Sequence, residues 1–197
     1  IYGEALAGST ATAASSNYPT QLADAKVTVG GSSSPLYFVA PSQIDAIIPD
    51  ETPTGLTQIT VQNTAGANTV NVMVAAAVPA LFTQNSSGSG PASALNASRG
   101  NTLVTAANPL RAGDYVSLYL TGLGATTRRD GLDWAVAQPT VTLGGVSCPV
   151  SYAGRAPGYT GLDQINCVVP AGLAAGAAQV WVSSAGRGSN VATLAVQ

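Results

Sequence analysis

With 197 residues, only 8% of them charged, and a net charge of −2, the chain has room for two small domains whose surface rests on Ser, Thr and Ala rather than on ions. Seven Lys plus Arg against nine Asp plus Glu leave no basic stripe to neutralise phosphates, which argues against a nucleic-acid partner. Histidine is absent, and with it the commonest general base and the commonest metal ligand, so most hydrolase mechanisms lose their central group.

In chain order, Gly8 to Thr20 is rich in Ser, Thr and Ala, lacks periodicity, and reads as a loop. Ala25 to Val29 alternates as a strand, Gly30-Gly31 turns, and Pro35 to Val39 is expected to return as the second arm of a hairpin. Ile44 to Ile48 is a short apolar strand between turn signals. Thr57 to Asn63 alternates, turns near Ala65-Gly66, and pairs with Val70 to Val74. A middle stretch from Pro79 to Ala107 holds the flexible run Asn85 to Gly90, a strand-like piece at Ala80 to Thr83, and a hairpin of Ala92 to Asn96 with Thr102 to Thr105. Tyr115 to Leu120 is the strongest strand, with Tyr115 and Tyr119 on one face, assigned to the core. Asp130-Gly131 turns, Val141 to Val150 forms another Gly-Gly hairpin, and Val180 to Ser183 pairs with the closing strand Val191 to Val196. No amphipathic helix of three turns and no membrane-spanning run of about 18 apolar residues occurs. No signal peptide stands at Ile1, so any leader is expected to have been removed.

The elements occur twice. Val27-Thr28-Val29-Gly30-Gly31 returns as Val141-Thr142-Leu143-Gly144-Gly145, Pro35 as Pro149, Gln43-Ile44-Asp45 as Gln164-Ile165-Asn166, Pro49 as Pro170 and Gly55 as Gly176. Strands spaced by 8 to 12 residues with glycine or proline between them define β-sandwiches, so the boundaries fall at 1–78 and 79–197. The copies are unequal. The second carries seven extra residues between Pro149 and Gln164, in the loop around Tyr159, and holds both cysteines. Cys148 and Cys167 flank neighbouring strands and are expected to form a disulfide, worth roughly 3 kcal/mol on the loop-entropy argument and consistent with secretion. The alternative is a pair of buried thiols.

In the first copy, Ile1-Tyr2 aligns with Leu118-Tyr119, and everything equivalent to Asn108 through Ser117 is missing. A sandwich without that opening strand exposes backbone donors and acceptors beside an apolar groove, so either the chain is a fragment of a longer protein or a neighbouring copy supplies the strand.

Several motifs lose their chemical reading when weighed. Asp130 and Asp133 supply too few oxygens for a calcium site. The Gln-Ile pairs serve local backbone groups. Gly88-Ser89-Gly90 is a spacer, since no histidine base is available to a serine nucleophile. Trp181, between Val180 and Val182, points outward if those valines point in, and with Tyr159 it is a candidate interface residue.

The Val-x-Val-Gly-Gly turn and the strand ending in Val-Pro resemble the IPT/TIG class of immunoglobulin-like domains. More closely, Tyr119-x-Thr121-Gly122-Leu123-Gly124, Ala156-Pro157-Gly158, Gly161-Leu162, Gln164-Ile165-Asn166, Val169-Pro170 and Ser189-Asn190 resemble an uncharacterised C-terminal domain family of secreted acidobacterial proteins. The resemblance covers nearly the whole chain and implies two tandem immunoglobulin-like β-sandwiches on a secreted or cell-surface protein. It implies no activity and no cofactor.

The resulting expectation is a non-enzymatic extracellular structural or adhesive protein, a filament subunit assembled by strand complementation between copies. Its candidate interface residues are Ile1, Tyr2, Tyr159 and Trp181, and its partners are further copies or other cell-surface proteins. The alternative is an accessory module that binds carbohydrate or another ligand.

Overall fold

Both Gly-Gly pairs sit at the tips of two-residue hairpins whose two central residues have positive φ: 59° and 88° at Gly30-Gly31, 58° and 80° at Gly144-Gly145. That geometry suits the right-handed twist of paired strands and favours glycine, which explains why the dipeptide recurs. In each copy the first glycine's N–H donates to a neighbouring strand, Gly30 to Gln58 O at 2.8 Å and Gly144 to Gln179 O at 2.7 Å. The hairpins are shorter than expected. After Gly31 only Ser32–Ser33 pairs back on Ala25–Val29, and after Gly145 only Val146–Cys148 pairs back on Thr140–Leu143. Pro35 and Pro149 have no N–H to continue the ladder. Beyond them the chain changes sheet, and Leu36–Ala40 pairs with Gln43–Ala46 while Val150–Arg155 pairs with Asp163–Val168.

The computed structural model describes residues 1–197 and divides them into two units, Ile1–Ala75 and Ala76–Gln197. Each is an immunoglobulin-like β-sandwich. In the first unit a three-stranded sheet of Ala11–Thr12, Leu36–Ala40 and Gln43–Ala46 packs on a second sheet ordered Gln21–Leu22, Ala25–Val29, Gly55–Asn63, Gly66–Val74. Its core joins Ala25, Val27 and Val29 of one sheet to Leu36, Val39 and Ile44 of the other. In the second unit Thr140–Leu143, Gly176–Ser184 and Ala192–Val196 face a larger sheet centred on Tyr115–Thr121, Asp163–Val168 and Val150–Arg155. Val116, Leu118, Leu120, Ile165, Val141, Leu143, Val180, Val182 and Leu194 fill the space between them.

The duplication extends to irregularities. Both copies break register at the same place, between Leu36 and Phe38 in the first and between Val150 and Tyr152 in the second. In both, a Gln amide donates to the side chain two residues on, Gln43 to Asp45 and Gln164 to Asn166, each at 2.8 Å. Gly55 and Gly176 open their strands at φ 114° and 126°.

The middle segment belongs to the second unit. Ala94–Asn96 pairs with Thr102–Leu103 across a three-residue 3-10 turn, and also with Tyr115–Thr121. Gly122 and Gly124 let the Ala76–Val78 backbone approach so closely that a Cβ on either would collide with a carbonyl oxygen. The Val78 N–H donates to Gly122 O at 2.8 Å. The glycines of the Thr121–Gly124 run therefore have a packing reason.

Candidate functional site

Ile1 and Tyr2 lie where the alignment places them, beside Ile44 and Gln43. The Ile1 ammonium donates to Ile44 O at 2.7 Å, the Ile44 N–H donates to Ile1 O at 2.8 Å, and Tyr2 bridges Gln43 in antiparallel sense. The second unit has the same pairing in Leu118 with Ile165 and Tyr119 with Gln164. There the strand continues, setting Ser117 opposite Asn166, Val116 opposite Cys167 and Tyr115 opposite Val168. Past it, Gly113 N donates to Val169 O and Val169 N donates to Asp114 O, both at 2.9 Å. In the first unit the corresponding edge, Asp45 through Ile48, has no strand beside it.

A second edge is open across from the first. In the second unit the free side of Ala192–Val196 is covered by parallel contacts. Leu110 N donates to Ala195 O at 2.8 Å, Gln197 N donates to Leu110 O at 2.9 Å, and Ala92 N donates to Thr193 O at 2.9 Å. The equivalent strand of the first unit, Gly66–Val74, is nine residues long and ends its sheet uncovered. It carries no charge, no proline and no bulge, the usual protections of an edge strand. Val70, Val72 and Val74 share the core-facing side with Ile59 and Val61, because directly paired residues point the same way. Even so, Val70 is 54% exposed and Ile48 53%, whereas their counterparts Ala192 and Val169 are 0% and 2%. The first unit thus has an apolar groove with two unpaired backbone lips, Asp45–Ile48 and Gly66–Val74.

The other expected interface residues, Tyr159 and Trp181, belong to the second unit. Tyr159 projects from the turn Ala156–Tyr159, in which Gly158 has φ 82° and Tyr159 N donates to Ala156 O at 3.1 Å. Trp181 lies on the opposite sheet of the second unit, flanked by fully buried Val180 and Val182. Its indole covers Gly188, where any Cβ would come within 2.6 Å of Cζ2. Tyr115 and Tyr119 correct the sequence expectation. The core side of their strand is Val116, Leu118 and Leu120, and both tyrosines face outward, Tyr115 well exposed. Burial raises the Tyr119 hydroxyl above its ordinary pKa, with a further push from nearby Tyr159.

Cys148 and Cys167 are two buried thiols hydrogen-bonded to each other, not a disulfide. The bond from Cys167 holds Cys148 below its ordinary thiol range against the effect of burial. Cys167 is pushed far up by that same bond and, secondarily, by burial. Asp133 pairs with Arg128 across the hairpin at 3.0 Å, and Asp130, in the turn, lies 3.9 Å from its neighbour Arg129. Arg129 in turn stacks 4.1 Å over Trp134, whose ring meets Tyr152 edge-on at 4.9 Å. This aromatic cluster, with the Tyr152 hydroxyl donating to Asp133 O at 3.2 Å, fastens the Thr126–Ala135 hairpin to the larger sheet. Spacing alone did not reveal it, because Trp134 and Tyr152 belong to different hairpins.

No family model matches the chain, and no curated protein is significantly similar to it. Among solved structures it is similar to SGBP-B from a complex xyloglucan utilization locus in Bacteroides uniformis, at 10% identity and TM-score 0.32, covering 79% of this chain and 32% of that one. Domains 4–9 of the surface layer protein SbsC align at 13% identity and TM-score 0.29, over 88% of this chain and 22% of that one. The I9–I11 tandem of titin aligns at 12% identity and TM-score 0.28, over 99% and 61%. The chain therefore spans about a third of the first of these proteins, and likenesses this distant carry no argument about it.

Proposed function

We propose that the chain is a non-catalytic extracellular structural or adhesive protein, a subunit of a surface filament assembled by strand complementation between copies. What supports this reading is that, within these residues, the edges Asp45–Ile48 and Gly66–Val74 of the first unit pair with no further strand, whereas the equivalent edges of the second unit are covered by Pro109–Ser117. Fully burying a Val or Ile side chain is worth about 1.5–3 kcal/mol, so Ile48, Val70 and the half-buried Val72 and Val74 offer a donor several kcal/mol. A head-to-tail contact of this kind is heterologous and propagates unless it closes into a ring. The sparse charge of the chain offers little resistance to such association. The absence of histidine supports the non-catalytic part of the reading, and the resemblance to secreted acidobacterial domains supports the extracellular part. In an oxidising compartment the two adjacent thiols would close into a disulfide.

Electron microscopy of native material tests the proposal. Ordered filaments in which a neighbour's strand occupies the groove support it. Monodisperse particles whose first unit is completed by residues of the same chain contradict it.

A second reading, carbohydrate binding, rests on the outward indole of Trp181, 38% exposed, and on the exposed Tyr159. Binding of a glycan panel that is lost in Trp181→Ala or Tyr159→Ala would favour it over assembly.

A further inference from the structure

We infer that the outward face of the larger sheet in the second unit, along Tyr115, Ser117 and Tyr119 with Gln164, Asn166 and Tyr159, binds an uncharged polysaccharide chain. This inference rests on the carbohydrate-binding reading and gives it a different site. Tyr159 lies between Val150–Arg155 and Asp163–Val168 of the larger sheet, while Trp181 stands on the opposite sheet. Val116, Leu118 and Leu120 point into the core, which turns Tyr115, Ser117 and Tyr119 outward. Directly paired residues share a face, so Asn166 opposite Ser117 and Gln164 opposite Tyr119 stand on it too. Phe82 joins them, since it follows buried Leu81, the partner of Leu120, and its N–H donates to Tyr119 O at 3.1 Å. Burial, and then the Tyr159 phenol, raise the Tyr119 hydroxyl above its ordinary pKa, which sets Tyr159 beside Tyr119.

The chemistry of this face suits a sugar. Tyr115 and Tyr159 are well exposed and offer flat apolar rings to the C–H face of a pyranose, each with a hydroxyl at its tip. The Gln164 amide donates to Asn166 Oδ1 at 2.8 Å, which leaves the Gln164 carbonyl oxygen as an acceptor and the Asn166 amide as a donor. An adjacent acceptor and donor match neighbouring sugar hydroxyls. No ionised side chain stands at any of these positions. Arg99, next to the Ser98 hydroxyl that accepts from Tyr115 N, is already paired with Asp114 at 3.5 Å, so an acidic chain meets no free cation there. One side of the face is walled. Tyr152 is opposite Asn166 and Gly154 opposite Gln164, and the Thr126–Ala135 hairpin lies over both. Trp134 meets Tyr152 at 4.9 Å, and a Cβ on Gly154 would collide with Asp133 O. The face is therefore a trough along Tyr115–Thr121. Its two strand tyrosines, four residues apart, are separated by about 14 Å at roughly 3.4 Å per residue. An extended chain of several sugars reaches both, and a disaccharide reaches one.

The test is calorimetric titration of the full 197-residue chain with three neutral hexasaccharides, cellohexaose, mannohexaose and chitohexaose, and with hexagalacturonate as the acidic comparison. At least one neutral hexasaccharide should bind, and its disaccharide should bind at least roughly tenfold more weakly. The bound hexasaccharide should shift the side-chain amide NMR signals of Gln164 and Asn166. Tyr159→Ala, at an exposed turn position, and Gln164→Ala should each weaken it by roughly tenfold. Tighter binding of hexagalacturonate than of every neutral chain overturns the inference. Binding that survives Tyr119→Ala and Tyr159→Ala but is lost in Trp181→Ala overturns this site and leaves the carbohydrate reading standing. No binding of any hexasaccharide overturns both, and self-association lost in Tyr159→Ala would then assign the face to a second copy of the chain.

Discussion

Val70 and Ala192 hold the same place in the two copies, each opposite the core-facing residue of its neighbouring strand, Ile59 and Val180 respectively, yet Val70 is 54% exposed and Ala192 fully buried. The difference comes from the segment that covers one and not the other. Val70→Lys should therefore change the stability of the isolated chain by less than about 0.5 kcal/mol, as for an ordinary surface substitution. Ala192→Lys should cost upwards of about 3 kcal/mol or prevent the second unit from folding, because the charge enters a filled core. Urea titrations of both variants against the parent make the comparison.

Ser34 holds in the first copy the position of Cys148 in the second, following the Gly-Gly hairpin and preceding the proline. It is fully buried and its hydroxyl has no hydrogen-bond partner. Leaving such a group unsatisfied costs about 1–3 kcal/mol, so Ser34→Ala should stabilise the first unit by about 1 kcal/mol. A rise in the urea midpoint of that unit's transition checks it; a fall would show that the hydroxyl is satisfied.

Cys148 and Cys167 are already in side-chain contact, so mild oxidation should join them without disturbing the fold. Mass spectrometry should record the loss of two hydrogens per chain, and the second unit should gain up to about 3 kcal/mol, returning to its original stability on reduction. Cys167→Ser should abolish both effects.

Asp24 ties together three separated segments of the first unit. Its carboxylate accepts from Gly8 N at 2.9 Å and from Thr64 Oγ1 at 3.0 Å, and these bonds, the Gly8 one foremost, lower its pKa below the ordinary aspartate value. A carboxylate whose folded pKa is depressed contributes its stabilisation above the unfolded pKa and loses it as pH falls through the folded one. The Gly8 amide should therefore stay protected at neutral pH and exchange faster below the usual aspartate range. Asp24→Asn should remove this pH dependence, as read from NMR-detected exchange at Gly8.

Much of the fold was legible because duplication makes a sequence its own control. The Gly-Gly turns, the Gln-Ile pairs and the placement of Ile1-Tyr2 against Gln43-Ile44 all follow from aligning one half with the other. The hairpin after Gly31 is shorter than the sequence suggests because the alternation of Leu36 to Ala40 gives the strand but not its sheet, and only the missing N–H of Pro35 hints at the switch. The sequence leaves the facing of Tyr115 and Tyr119 open because alternation fixes two faces without saying which is the core, and the burial of Val116, Leu118 and Leu120 decides it. The open groove was foreseen in its missing strand. Its second lip at Gly66–Val74 was not, because the parallel contact of Leu110 on Ala195 leaves no periodic trace in sequence.

Amide hydrogen exchange of the chain, dispersed and then assembled, tests the central claim most directly. If a neighbour's strand completes the first sandwich, the Ile48 and Ala75 amides should exchange quickly in dispersed chains and become strongly protected on assembly, while Val169 and Gln197 stay protected in both. Unchanged rapid exchange at Ile48 and Ala75 in assembled material would contradict it.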